Sequence, residues 1–207
     1  SGILLPISSL PGKYGIGCFS KEAYKFVDFL EKAGQKYWQI LPVGPTSYGD
    51  SPYQSFSTFA GNPYFISLES LVEQGLLKKK ECDEADFGKL ADSVDYHKLY
   101  LERFQLLRKA YERSNITQKE EFHDFRRENA FWLNDYAVFM AVKTFFGGKS
   151  FEEWPEDIRR RWEYALNYYR RELYYDIEFY EYIQYEFYRQ WFRLKKYANE
   201  KGIKIIG

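Results

Sequence analysis

Cysteine is nearly absent. Cys18 and Cys82 are the only two in 207 residues, too few and too far apart for a disulfide framework or a zinc site, so a reducing compartment is the simplest setting. Net charge is absent as well. The 30 basic residues cancel the 30 acidic ones, and with no basic stripe nothing marks a nucleic-acid partner. No charged tail of the kind that steers partners is present either. Long apolar runs are missing: none approaches the ~18 residues of a membrane helix. The opening Ser1-Gly2-Ile3-Leu4-Leu5-Pro6-Ile7 has no basic n-region and no long h-region, so it is no signal peptide. A cytoplasmic, soluble protein without a membrane partner is expected, and no cofactor or metal motif is visible.

Aromatic residues are plentiful instead, 21% of the chain, with 20 Tyr, 18 Phe and 5 Trp. Such rings stack on the apolar faces of sugars, but they also fill helix–helix cores. Most of them stand at helical spacing in the second half, where packing is the reading. Only rings on Gly/Pro-rich loops are considered for ligand contact. By the same logic the tyrosines Tyr164, Tyr168, Tyr175 and Tyr182, interleaved with Arg and Glu, read as the packing face of an amphipathic helix.

Gly2–Ile7 reads as a short buried strand, apolar on both faces and stopped by Ser8-Ser9-Leu10-Pro11-Gly12. Ser20 suits an N-cap for a helix whose Ala23, Phe26, Val27 and Leu30 fall at i, i+3, i+4 and i+7. Glu22 sits in its first turn and Gly34 just past its end. Tyr37–Val43 then forms a second strand, with Trp38 in its packed interior. A strand, helix and strand of this length make a parallel crossover. In parallel α/β sheets and barrels, the loops after the C-terminal strand ends build the active site. Ser8–Gly17 and Gly44–Pro63 occupy those places by connectivity alone.

Beyond Leu68 the pattern turns helical. Leu71, Val72, Leu76 and Leu77 give a short helix; Lys78–Val94 is charged and less regular. Leu99, Leu106, Leu107 and Ala110 give another helix. Phe122–Phe145 carries one or two more, ending at Gly147-Gly148. Pro155–Asn199 reads as a long helical stretch broken at most once, and Ile203–Gly207 as a third strand. The reading is therefore α/β, in three parts. Residues 1–68 hold two strands, a helix and the cleft loops, 69–202 form a mainly helical insertion, and 203–207 are the third strand. Three strands with open edges, the last stopping where a functional loop is due, read as a truncated domain.

The informative segments are Ser9-Leu10-Pro11-Gly12 with Tyr14-Gly15-Ile16-Gly17, Trp38-Gln39-Ile40-Leu41-Pro42, and Gly49-Asp50-Ser51-Pro52-Tyr53-Gln54. They continue with Phe59-Ala60-Gly61-Asn62-Pro63, Trp132–Ala141, and Gln190-Trp191 ahead of Gly202–Gly207. Together they resemble the N-terminal part of the amylomaltases, or disproportionating enzymes, the 4-α-glucanotransferases of glycoside hydrolase family 77. The resemblance spans nearly the whole chain and is weakest over Lys78–Ser93. It implies a (β/α)₈ barrel with a large helical insertion between strands 2 and 3. The implied enzyme cleaves α-1,4-glucans and maltooligosaccharides and passes the glucosyl chain to another sugar's 4-hydroxyl through a covalent intermediate. The family's catalytic carboxylates and its cleft histidine lie downstream of the third strand. No catalytic residue is therefore assigned here, neither His97 nor His123 inherits a role, and the remainder of the polypeptide becomes a required partner.

What the resemblance places in this chain is binding. Tyr53 stacks beside the glucose at the cleavage point, Ser51 hydrogen-bonds in the donor subsites, and Asp50 and Gln54 contact sugar hydroxyls. Tyr48 and Tyr100 match an aromatic pair that forms an accessory glucan site away from the centre. Read without the resemblance, Gly49-Asp50-Ser51-Pro52 is an ordinary turn, with Asp bonding its own backbone, and Tyr100 is a helix-surface residue. Two other classes remain as alternatives: a non-catalytic carbohydrate-binding fragment, and a helical interaction domain with an exposed apolar patch from Phe122 onward.

Overall fold

The computed structural model describes residues 1–46, 49–88 and 93–207. The chain forms two compact units, Ser1–Asn115 with Glu186–Gly207, and Ile116–Tyr185. Residues 69–115 and 186–202 of the helical stretch thus belong to the first unit.

The first unit begins with β1 (Gly2–Leu4), α1 (Lys21–Lys32) and β2 (Tyr37–Gln39). Its helix starts as the sequence predicts: the Ser20 hydroxyl accepts from the Glu22 amide at 3.4 Å. It ends at Gly34 with φ 68°, a left-handed residue that lets the Gln35 amide return to the Leu30 carbonyl at 2.9 Å. Ala23, Val27 and Leu30 are fully buried. The helix α2 (Leu68–Glu73) follows, capped by Ser67, then α3 (Lys79–Glu84) and α4 (Tyr96–Arg113), capped by Asp95.

The second unit carries α5 (Glu120–Glu128), α6 (Ala130–Phe145), α7 (Glu156–Arg159) and α8 (Glu163–Glu172). The long helix α9 (Tyr174–Glu200) starts in the second unit, and its last part belongs to the first, which β3 (Lys204–Ile206) completes. Among the described residues no helix is long and apolar enough to cross a membrane.

The sheet is parallel throughout, with order β1-β2-β3 and Ile3, Trp38 and Ile205 in register. Side chains alternate between its faces. On one face Trp38 is fully buried and meets the Phe26 ring of α1 edge-on at 5.0 Å, its indole N–H donating to the Leu5 carbonyl at 2.8 Å. On the other face Leu4, Tyr37 and Ile206 are 57%, 40% and 49% exposed.

Three expectations change. The first strand is shorter and is not buried on both faces, because Pro6 has no N–H to extend the ladder and Ile7–Ser9 turns into a 3₁₀ helix. The second strand stops at Gln39, ahead of Pro42. The stretch from Pro155 breaks twice rather than once, at the left-handed Arg161 (φ 58°) and at Leu173, where the helix closes with φ −106°. The tyrosine run corrects most. Tyr164, Tyr168 and Tyr175 are exposed and only Tyr182 is buried: α8 turns Ala165 inward with Tyr164 and Tyr168 out, and Tyr175 lies in the first turn of α9.

In the second unit Phe122, Leu133, Ala137, Phe179, Tyr182 and Ile183 are fully or almost fully buried. Amid this apolar packing sit two acids of α9, Glu178 and Glu181, 6% and 3% exposed. Burial pushes the Glu181 carboxyl up to about 7 against the pull of Arg126, whose Nε lies 3.0 Å away, and Glu178 adds to the rise.

Folded Glu181 keeps its proton to higher pH than the unfolded chain does, so its contribution is most favourable below pH 4.5 and is lost as pH rises through 7. Unfolding free energy is expected to fall over that window by at most about 3 kcal/mol. Glu181→Gln should flatten this decline in denaturant titrations run from pH 4 to 8. An unchanged slope would show that Glu181 ionises normally.

A second buried charge ties the first unit together. Arg103 of α4 is fully buried, donating from Nη1 to the Tyr14 carbonyl at 3.1 Å and from Nη2 to the Ile66 carbonyl. Arg103→Met keeps the aliphatic bulk but strips both carbonyls of a donor, at about 1–3 kcal/mol each. A loss of about 2–4 kcal/mol by urea unfolding is expected, and a loss under ~1 kcal/mol would show the fork to be dispensable.

Candidate functional site

Parallel pairing sends the loops after β1 and β2 out at the same edge of the sheet. The first is packed hard. The Gly17 amide donates to the Ser8 carbonyl at 3.2 Å. A Cβ on Gly12 would lie 2.1 Å from the Ile16 carbonyl oxygen, and one on Gly17 2.2 Å from that of Ile7, so only glycine allows this approach. Tyr14 is buried, its phenol donating to Asp83 at 2.9 Å.

The second loop is anchored at its base. The Asn62 amide donates to the Val43 carbonyl at 2.8 Å, and the Asn62 side chain accepts from the Tyr64 amide at 3.0 Å. The Tyr188 hydroxyl of α9 donates to the Phe59 carbonyl. Gly61 lies flat against the Phe187 ring, where a Cβ would meet a ring carbon at 2.1 Å. Ser57 Oγ gathers the Phe59 and Ala60 amides at 3.3 and 3.0 Å, and Ser55 Oγ donates to the Ser57 carbonyl at 2.7 Å.

At the tip, Gly49 and Asp50 take φ of 89° and 52° in succession. Ser51 then closes a tight turn around Pro52: its hydroxyl accepts from the Tyr53 amide at 3.3 Å and its carbonyl from the Gln54 amide at 3.1 Å. The outcome is a Tyr53 side chain 72% exposed, beside an exposed Gln54 and a half-buried Ser51 and Asp50. The Ser51 hydroxyl, already an acceptor, keeps its proton to donate.

Asp50 lies within electrostatic reach of Tyr64 and Tyr96. Burial raises its pKa. Burial first, and the Asp50 charge second, push the phenols of Tyr64 and Tyr96 up. Tyr64 packs on Tyr96 at 6.2 Å and on Phe104 at 6.3 Å, and Tyr100 lies 5.0 Å from Phe104. Tyr100 is 48% exposed on α4. Asp50 and Tyr100 therefore share one aromatic wall, while Tyr53 makes no ring contact among the described residues. Tyr48, the other half of the accessory pair, lies outside the described residues.

The sequence reading missed Tyr64, Tyr96 and Phe104. A signal existed: Tyr96, Tyr100 and Phe104 recur every four residues, one face of a helix. His97 is exposed, and His123 is exposed with its Nε2 2.8 Å from the Thr117 carbonyl. Among the described residues no group of three or more His, Cys, Asp or Glu is placed to hold a metal ion.

Comparison with known proteins gives consistent matches. The family model described as 4-alpha-glucanotransferase matches residues 5–207. The 4-alpha-glucanotransferase of Clostridium butyricum is 53% identical over 97% of the chain and 41% of that relative's own length. That of Thermus thermophilus is 45% identical over 100% of the chain and 41% of its own length. Amylomaltase from Streptococcus agalactiae in complex with acarbose superposes with a TM-score of 0.94 at 47% identity, covering 100% of the chain and 42% of that structure. The chain thus spans about two-fifths of the length of the relatives it matches.

An aspartate held at φ 52° costs up to about 1 kcal/mol that glycine avoids. Asp50→Gly relieves that strain but loosens the unfolded chain by about 0.4–1 kcal/mol. Unfolding free energy should therefore hold or rise by a few tenths of a kcal/mol at most, while oligosaccharide binding weakens. A variant with unchanged affinity would leave Asp50 a turn residue only.

Proposed function

The chain belongs to the 4-alpha-glucanotransferase family, glycoside hydrolase family 77, and from that premise we propose that it forms the N-terminal, glucan-binding part of such an enzyme. The reaction is cleavage of an α-1,4 bond and transfer of the glucosyl chain to the 4-hydroxyl of a second sugar. The observation that carries the reading is the anchored loop Gly44–Pro63. It is fixed at its base by Asn62, Gly61 and Tyr188, and it presents Tyr53 at the C-terminal edge of parallel strands. Acarbose, the ligand of the Streptococcus agalactiae neighbour, fits an oligosaccharide cleft.

In this reading Tyr53 offers a rigid flat face to a glucose ring at low entropic cost. Ser51 and Gln54 direct hydrogen bonds to its hydroxyls, and Asp50 accepts from one. Tyr100, with Tyr48, supplies an accessory platform for longer chains. A retaining mechanism needs two carboxyl groups about 5–5.5 Å apart. The turn around Asp50 brings no second carboxylate of its own, Gly49 to Gln54 holding no other acid. The carboxylates are assigned to the part of the enzyme that this chain does not include.

The fold reading extends the same way. A three-stranded parallel sheet with Leu4, Tyr37 and Ile206 bare on one face supports the opening of a (β/α)₈ barrel whose interior that face lines. Cys18 and Cys82 are both free and buried, which supports a cytoplasmic setting. The exposed rings of the second unit, Tyr164 and Tyr175 among them, favour the interaction-domain alternative. That alternative gives no reason for the ordered Tyr53 loop.

Given maltotriose, the enzyme containing this chain should yield glucose and longer oligosaccharides with no net rise in reducing ends. Release of glucose and maltose by hydrolysis alone would sink the transferase reading. Tyr53→Ala should cut kcat/KM for transfer at least about tenfold, the effect of losing one ring stack of ~1.4 kcal/mol. Because Tyr53 is exposed, Tm should stay where it was.

A further inference from the structure

The second unit contains a cavity of about 250 Å³ between α5, α6, α8 and the start of α9. Its volume is that of about eight waters at the ~30 Å³ each occupies in the liquid. That is room for at least one six-membered ring with its hydroxyls. The α9 wall is Tyr174, Ile177, Glu178 and Glu181, spaced i, i+3, i+4 and i+7 along one helix face. On an inward stripe packing asks for apolar residues. Two carboxylates there, 6% and 3% exposed, cost desolvation that a purely structural face would avoid.

The opposite walls supply guanidinium groups. Arg126 of α5 is held in place by Glu181 at 3.0 Å and by stacking over the Phe122 ring at 5.6 Å. Arg170 of α8 lines the same cavity and, among the described residues, makes no ion pair or hydrogen bond. Glu178 accepts from the Tyr174 hydroxyl at 3.1 Å, which fixes that half-exposed ring at the rim. Val138 and Ile177 add apolar lining, and Asn134 adds an amide.

The charges decide the class of ligand. Glu178, with the partly ionised Glu181, repels an anion and two guanidiniums repel a metal cation, so the set selects a neutral molecule. Ionised carboxylates only accept, guanidiniums only donate, and a protonated carboxyl can do either. A hydroxyl does both at once, and a polyhydroxylated ring bridges the two sets while its C–H face lies on Tyr174.

We propose that this cavity of the second unit is a binding site for a single neutral hexose unit, held between Arg126 and Arg170 on one side and Glu178 and Glu181 on the other. The site does not depend on the Tyr53 loop. It takes one sugar ring, whereas the cleft loop addresses a glucan chain.

The test is hydrogen–deuterium exchange of the enzyme with and without glucose. Protection is expected in residues 126–138 and 170–181, and it should persist in Tyr53→Ala, which removes the cleft contact. Arg170→Ala changes an exposed side chain, so the fold survives. It should raise the glucose concentration needed for protection about tenfold, the effect of losing a charged hydrogen bond. Glu178→Gln should weaken binding in the same direction. Absence of protection at saturating glucose, protection unaffected by Arg170→Ala, or protection by inorganic phosphate in place of glucose would each overturn the proposal.

Discussion

The first unit hangs on one buried guanidinium. Arg103 reaches from α4 into the space behind both cleft loops and spends its donors on backbone carbonyls, Tyr14 in the first loop and Ile66 just after the second. Among the described residues it has no carboxylate partner, and its Nε has none of any kind. Burial lowers its pKa, and the neighbouring Cys18 thiol, itself raised by burial, helps to offset that. A charge kept in such a place costs several kcal/mol unless its donors are used. What it secures in return is geometry. A planar fork fixes two carbonyls relative to one another in a way that apolar packing does not.

Around that clamp the cleft divides into rigid and presented parts. Glycines at 12, 17 and 61 allow backbone and ring to approach more closely than any Cβ would permit, and they make the loop bases dense. The tip at Gly49–Gln54 is held by its own turn, through Ser51, with Tyr53 turned outward. A ring presented to solvent on a fixed base is preorganised for a flat ligand, since little freedom remains to be lost on binding. Asp50 sits at the junction, strained in φ and within electrostatic reach of Tyr64 and Tyr96. The loop after β2 and the wall that bears Tyr100 are thereby in electrostatic contact.

Much of this was legible in the residues. The strand, helix and strand at the start follow from Ser20, Gly34 and the spacing of Ala23, Val27 and Leu30, each of which acts locally. The two cleft loops follow from connectivity. Strand lengths were overread because Pro6 and Pro42 stop the ladder sooner than the apolar run ends. The tyrosine run was misread for a different reason. Periodicity at 3.6 marks a face but not its direction, and on α8 the face carrying Tyr164 and Tyr168 turns to solvent while Ala165 goes in. Tyr64 and Tyr96 escaped notice because they meet through tertiary packing across a stretch with little pattern, and Arg103 because a lone arginine in a helix reads as surface.

The register of the sheet carries one more implication. Its middle strand, β2, is paired on one side with β1 nearby in sequence and on the other with β3, beyond all of the helices from α2 to α9. Closing that connection is an entropic matter, and the cost grows only with the logarithm of its length, about 0.6 kcal/mol per doubling. Residues 116–185, the second unit, can therefore lengthen or shorten at little loop-closure cost to the strands, whereas α4 and the end of α9 are tied to the first unit by Arg103, Phe187 and Tyr188. Folding speed bears the burden instead, since β3 reaches its place only after a long-range search. The sheet is thus a fixed frame, and the second unit, inserted between its second and third strands, is where added chain length costs least.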